Sequence, residues 1–150
     1  MKSLEEWFTD YAVCHQHPTN QLIHVICVPA ILFSTMGLIW AIPSLAWGGW
    51  DINWLYPVIL GITIFYSTID FKYSLYMFFV QLVFLGGFNM IANFGLSVGW
   101  ICTAVFIVAW VAQFYGHEVE GKKPSFFKDV SYLLIGPLWV LKKTLALFTR

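Results

Sequence analysis

Residues 22–42 read LIHVICVPAILFSTMGLIWAI, a run without a single Asp, Glu, Lys or Arg. About 20 mostly apolar residues in a helix cover the hydrocarbon of a bilayer, so this run predicts a membrane span. Three more runs have the same character: 52–69, 73–91 and 96–115. The links between them are short: 43–51, which holds Gly48-Gly49, then 70–72 and 92–95. Short links force neighbouring helices to run antiparallel. Pro29 can kink the first span, because it lacks the N–H that the helix needs. The expected fold is an all-α integral membrane protein with about four transmembrane helices, a single membrane-embedded domain over residues 1–150.

The composition agrees. Hydrophobic residues make up 59% and charged residues 11%, against about 25% charged in a soluble domain. Aromatic residues reach 19%, with eight Trp, and such rings favour the membrane–water boundary. Eight basic residues balance eight acidic ones, so the chain lacks the basic footprint of a nucleic-acid binder. Cys14, Cys27 and Cys102 are odd in number and show no CxxC spacing. They read as buried thiols rather than a disulfide framework. No secretory signal pattern opens the sequence.

Both ends predict interfacial structure. Ser3 with Glu6 is a capping-box pattern, and Leu4, Trp7, Phe8, Tyr11 and His15 share one helical stripe. This predicts an N-terminal amphipathic helix on the membrane surface, ended before Pro18. After a polar stretch, 118–124, the run 130–141 is apolar but short, and Gly136-Pro137 breaks it. That length suits an interfacial or re-entrant helical segment.

Basic residues set the orientation. Lys2 precedes the first span, Lys72 lies between the second and third, and Lys122, Lys123, Lys128, Lys142, Lys143 and Arg150 follow the fourth. The other two links hold none, so the positive-inside rule puts both termini in the cytoplasm. The membrane is then the bacterial inner membrane, or the endoplasmic reticulum in a eukaryote.

Four crossings return the chain to its starting face. His15, His17 and His24 therefore meet His117 near one membrane boundary, although a hundred residues separate the two groups. Neutral imidazole is the commonest protein metal ligand, and three of them suit a divalent iron or zinc. His24 lies inside an apolar run, where a polar group is costly and usually faces a bundle interior. His15, His24 and His117 are the expected ligands. Gln113, His117 and Glu120 share one face if the fourth helix runs past Tyr115, which makes Glu120 a ligand or an orienting group. Asp70 is a weaker candidate on the same side, and His17 and Cys14 read as bystanders. The competing reading is that the histidines are boundary residues of a non-enzymatic membrane scaffold or lipid-binding protein.

The pattern Tyr11-x-x-x-His15-x-x-x-x-Asn20-x-x-x-His24-x-x-x-x-Pro29, with Gln113-Phe114-Tyr115-Gly116-His117, Glu120 and Lys122-Lys123-Pro124, resembles the 2-hydroxy fatty acid dioxygenases over nearly the whole chain. The resemblance implies an iron(II)-dependent alpha-oxidation, in which a 2-hydroxy fatty acid and dioxygen give a fatty acid one carbon shorter. It implies Fe(II) on His15, His24 and His117, with Asn20 and Gln113 orienting the site and Glu120 as ligand or second support. The implied partners are 2-hydroxy fatty acid, dioxygen and membrane lipid, with the acyl chain among the apolar helices and the oligomeric state left open. In the fungal motif of the resembled family the stretch from histidine to proline is one residue longer than His117–Pro124, which leaves the placement of Glu120 and the identity of the substrate open. Lys122 or Lys123 could attract the carboxylate, although a solvated, positive-inside role is the simpler expectation.

Overall fold

A computed structural model describes residues 2–124 and 130–148. Helix α1 (Leu4–Ala12) starts at the expected capping box: Ser3 accepts from the Glu6 amide, and Glu6 accepts from the Ser3 amide. It stops well before Pro18, which opens α2 (Pro18–Trp40). Proline suits a first helical position, where its missing N–H costs nothing. The His17 ring nitrogen accepts from the Thr19 amide and so caps that start. Pro29 is accommodated within α2.

A short antiparallel hairpin follows, β1 (Leu45–Trp47) and β2 (Trp50–Ile52), with Trp47 opposite Trp50. Gly48 and Gly49 both have positive φ, 59° and 83°, the backbone that a two-residue hairpin turn requires. The remaining elements are helices: α3 (Leu55–Ser67), α4 (Phe71–Asn93), α5 (Val98–Glu120) and α6 (Tyr132–Phe148). Asp70 caps α4 by accepting from the Tyr73 amide.

Helices α2, α4 and α5 have 23 residues each and are long and apolar enough to cross a membrane. At 1.5 Å per residue each reaches about 34 Å, more than the hydrocarbon of about 30 Å. The second expected span is shorter than its apolar run. Helix α3 has 13 residues, Leu55–Ser67, about 20 Å: the hairpin takes Ile52 from the run 52–69, residues 53 and 54 lead into the helix, and it ends at its C-cap Thr68. Conversely, α6 reaches beyond the apolar stretch 130–141 and carries Pro137 inside it.

The residues fall into two compact units: Met1–Leu32 with Ile107–Arg150, and Phe33–Phe106. In the first, α6 packs on α1, with Phe8, Tyr11, Ile135, Leu138 and Val140 buried. Gly136 lies so close to Tyr11 that a Cβ there would sit 2.9 Å from the phenol oxygen. In the second, α3 packs along α4, and the Ser74 hydroxyl donates to the Thr63 carbonyl. Phe33 meets Phe84 edge-on and tilts against Phe88. Gln81, mid-helix and buried, donates to the Met77 carbonyl of its own helix.

Candidate metal centre

Three elements of the first unit deliver one histidine each. His15 sits just past the end of α1, His24 in the second turn of α2, and His117 one turn before the end of α5. All three are buried, at 1%, 2% and 6% exposure. Their ligand-capable atoms lie within 4.8 Å of one another. The rings stand edge-on around a common point, with centroids 4.2 Å apart for His15 and His24, 5.0 Å for His15 and His117, and 4.9 Å for His24 and His117.

Hydrogen bonds select the tautomers. His15 Nδ1 donates to the Tyr11 carbonyl, and His24 Nδ1 donates to the Asn20 carbonyl at 2.9 Å. A neutral imidazole carries one proton, so both Nε2 atoms are left as acceptors. Those two acceptors face each other at 2.9 Å. His117 Nδ1 is buried and without a hydrogen-bond partner among the described residues. Burial pushes the His15 pKa down to about 4, which keeps that ring neutral near pH 7.

A cation is the group this arrangement fits. Two lone pairs pointed at each other repel unless a positive charge lies between them. Nitrogens bonded at right angles to an ion, with bonds of about 2.1 Å, stand about 3 Å apart. The His15–His24 separation matches that edge. Three neutral nitrogens also leave other positions of a six-coordinate ion open to further ligands.

The expected carboxylate is engaged elsewhere. Glu120 ends α5 and accepts from the Gln16 amide at 2.9 Å, the His17 amide at 2.7 Å and Asn20 Nδ2 at 3.2 Å. It therefore ties down the turn that holds His15, and the histidines alone form the ligand cluster among the described residues. Asn20 is fully buried and also donates to the Cys14 carbonyl. Its side chain thus joins that turn to α5, while its carbonyl orients His24. Gln113 is buried one helical turn before His117, with Oε1 unpartnered among the described residues. His17 is exposed and serves as a helix cap, and Lys122 donates to the Val13 carbonyl at the end of α1. Asp70 belongs to the other unit, where it caps α4.

Three side chains outside the expected set shape the centre. Tyr11 stacks on His15 at 4.0 Å with the rings nearly parallel. Burial raises its phenol pKa well above the ordinary value, so it stays protonated. Trp139 of α6 tilts against both Tyr11 and His15, at 5.5 and 5.8 Å. Gln21 donates to the His15 carbonyl at 2.8 Å. The i, i+4 spacing of Tyr11 and His15 was the one signal in the sequence for this wall.

Comparison with known proteins adds one finding. A family model described as "2-hydroxy-palmitic acid dioxygenase Mpo1-like" matches residues 1–147. No curated protein and no solved structure matches the chain. The chain belongs to the Mpo1-like family.

Proposed function

We propose that this member of the family is an iron(II)-dependent dioxygenase that removes one carbon from 2-hydroxy fatty acids. The observation that carries the reading is the facing pair of His15 and His24 Nε2 atoms, with both Nδ1 protons already committed to carbonyls. The family match supports the substrate class. Atoms balance if the 2-hydroxy acid and dioxygen give the shortened acid, carbon dioxide and water.

His15, His24 and His117 would hold the metal, which supplies the oxygen chemistry when bound. The residues of the chain have the remaining tasks. Tyr11 and Trp139 shield the His15 ring from water, which strengthens electrostatic interactions at the site. The carbonyls of Tyr11 and Asn20 fix two imidazoles in the ligating tautomer. Glu120 and Asn20 hold the turn that carries His15. Gln113, buried with an unpartnered Oε1 one turn before His117, would accept a hydrogen bond from the substrate hydroxyl or from a water. A 2-hydroxy acid offers a carboxylate and a hydroxyl at its polar end, and its tail would extend into the hydrocarbon.

This reading includes a topology. Helices α2, α4 and α5 cross the membrane, α3 makes the short fourth crossing with its flanking residues, and both termini face the cytoplasm. The lack of Lys and Arg in 41–69 and 93–98 supports it.

The test uses protein purified in detergent. Bound metal and the turnover of 2-hydroxypalmitate are measured for wild type and for His15→Ala, His24→Ala and His117→Ala. Stoichiometric iron and a product one carbon shorter are expected in wild type, with both lost in the variants. A variant that keeps full activity removes its histidine from the ligand set. A wild type that binds no metal returns the chain to the scaffold reading.

A further inference from the structure

Among the described residues, Lys143 is a partly buried cation with no carboxylate at hand. Lys2 pairs with Asp10 at 2.7 Å and Lys142 with Glu5 at 2.8 Å, while Lys122 is held by a carbonyl. The Lys143 ammonium instead meets the amide oxygen of Gln21 at 2.5 Å and lies over the Trp139 ring, 4.9 Å from its centre. Both contacts are neutral. Desolvating an ammonium without a counter-charge is unfavourable, and burial lowers its pKa from the ordinary value.

Both neighbours of Lys143 also touch His15. Trp139 packs against the His15 ring, and Gln21 donates to the His15 carbonyl. One side chain therefore separates the ammonium from the histidine cluster by either route. Trp139, Lys143 and Gln21 are all half-buried, whereas His15 behind them is closed off. On α6, Trp139 and Lys143 are four residues apart and so share a helical face. That face carries both the ring that packs on His15 and the half-buried ammonium.

We infer that Lys143 is an anion-binding group at the mouth of the histidine cluster, and that its ligand is the carboxylate of an amphiphilic acid whose tail lies in the bilayer. The inference rests on the proposed function and assigns its carboxylate recognition to one residue. A lone ammonium on a flexible stem is a point charge, suited to capturing a carboxylate rather than to fixing a planar group at two points. An anion arriving there supplies the missing counter-charge, and it arrives beside the metal ligands. A phospholipid headgroup shares this chemistry, so the experiment separates the two sources.

Binding of 2-hydroxypalmitate and of its methyl ester is measured without oxygen, on wild type, Lys143→Met, Lys143→Gln and Lys143→Arg in neutral detergent. Metal content and unfolding temperature are followed for each. Removing the charge should weaken acid binding by about tenfold, leave the ester and the metal content unchanged, and be reversed in Lys143→Arg. Equal loss for acid and ester in both neutral variants would mean a packing role, and no loss in either would mean no role; each overturns the inference. In a second arm, phosphatidylglycerol is added. If it displaces the acid from wild type while the neutral zwitterionic lipid does not, the site is a headgroup site and the carboxylate assignment falls. Charge-dependent acid binding here, with no shortened product when the same wild-type protein is assayed for turnover in the presence of oxygen, would keep Lys143 and reject the dioxygenase reading.

Discussion

Asn20 and Gly116 touch so closely that a Cβ at position 116 would lie 2.6 Å from Asn20 Oδ1 and 3.3 Å from the end of Ile23. The bare backbone of α5 is what lets a buried amide from α2 settle between the His15 turn and Glu120. Gly116→Ala should therefore displace Asn20, whose side chain bonds both Cys14 and Glu120. Overpacking of this kind costs about 1–3 kcal/mol. The expected result is a lower unfolding temperature together with reduced metal content. Unchanged metal content with a lowered temperature would confine the effect to packing.

The histidine cluster was legible in the sequence and its surroundings were not, for a physical reason. Charge-free runs predict crossings, and an even number of them predicts that His15 and His117 meet, as their burial in one cluster bears out. The i, i+4, i+7 spacing put Gln113, His117 and Glu120 on one face, and α5 does run through Glu120. Spacing cannot say where a carboxylate's lone pairs go, and here N–H groups from 16, 17 and 20 take three of the four. Trp139 meets His15 only because α6 folds back on α1, a tertiary event that leaves no periodic trace. The short α3 has a similar origin: hydropathy starts the span at Ile52, whereas the Gly48-Gly49 turn pairs Ile52 with Leu45 and the helix begins at Leu55.

Acid should weaken the metal-free protein through His15. Burial sets its folded pKa at about 4, below the value near 6.5 of an exposed imidazole. Between these values the unfolded chain binds more protons than the folded one, so stability rises with pH. The contribution is complete above about pH 6.5 and is lost as pH falls through about 4, with a slope of at most about 1.4 kcal/mol per pH unit. Unfolding temperatures of the metal-free protein between pH 4 and 7.5 measure it. His15→Gln should flatten the slope in that window; an unaltered slope would assign it to other groups.

Glu120 offers a sharper separation of charge from shape. Glu120→Ala strands the Gln16 and His17 amides and releases Asn20, at a cost of about 1–3 kcal/mol. Glu120→Gln keeps one acceptor oxygen and the length of the side chain, so it should lose less. In both variants the turn bearing His15 is loosened, and metal affinity is expected to fall in the same order as stability. Titration with iron(II) under anaerobic conditions reads the affinity. If Glu120→Ala abolished metal binding while leaving the unfolding temperature untouched, the carboxylate would be a ligand rather than a tie.

Glycine packing in the second unit can be tested without touching the histidines. A Cβ on Gly37 would lie 2.2 Å from Cys102 Sγ and 2.9 Å from the Phe88 ring, whereas one on Gly61 would meet nothing within 4 Å. Gly37→Ala must therefore push Cys102 and Phe88 aside, and overpacking of about 1–3 kcal/mol should lower the unfolding temperature. Gly61→Ala places a methyl in open space on α3, where alanine is the better helix former by about 0.5–1 kcal/mol. It should be neutral or stabilising. Cys102→Gly removes the sulfur and Cβ that Gly37→Ala collides with, so the double variant should be less destabilised than the sum of the two single ones. Strict additivity would show that Phe88, not Cys102, is the group that position 37 cannot displace.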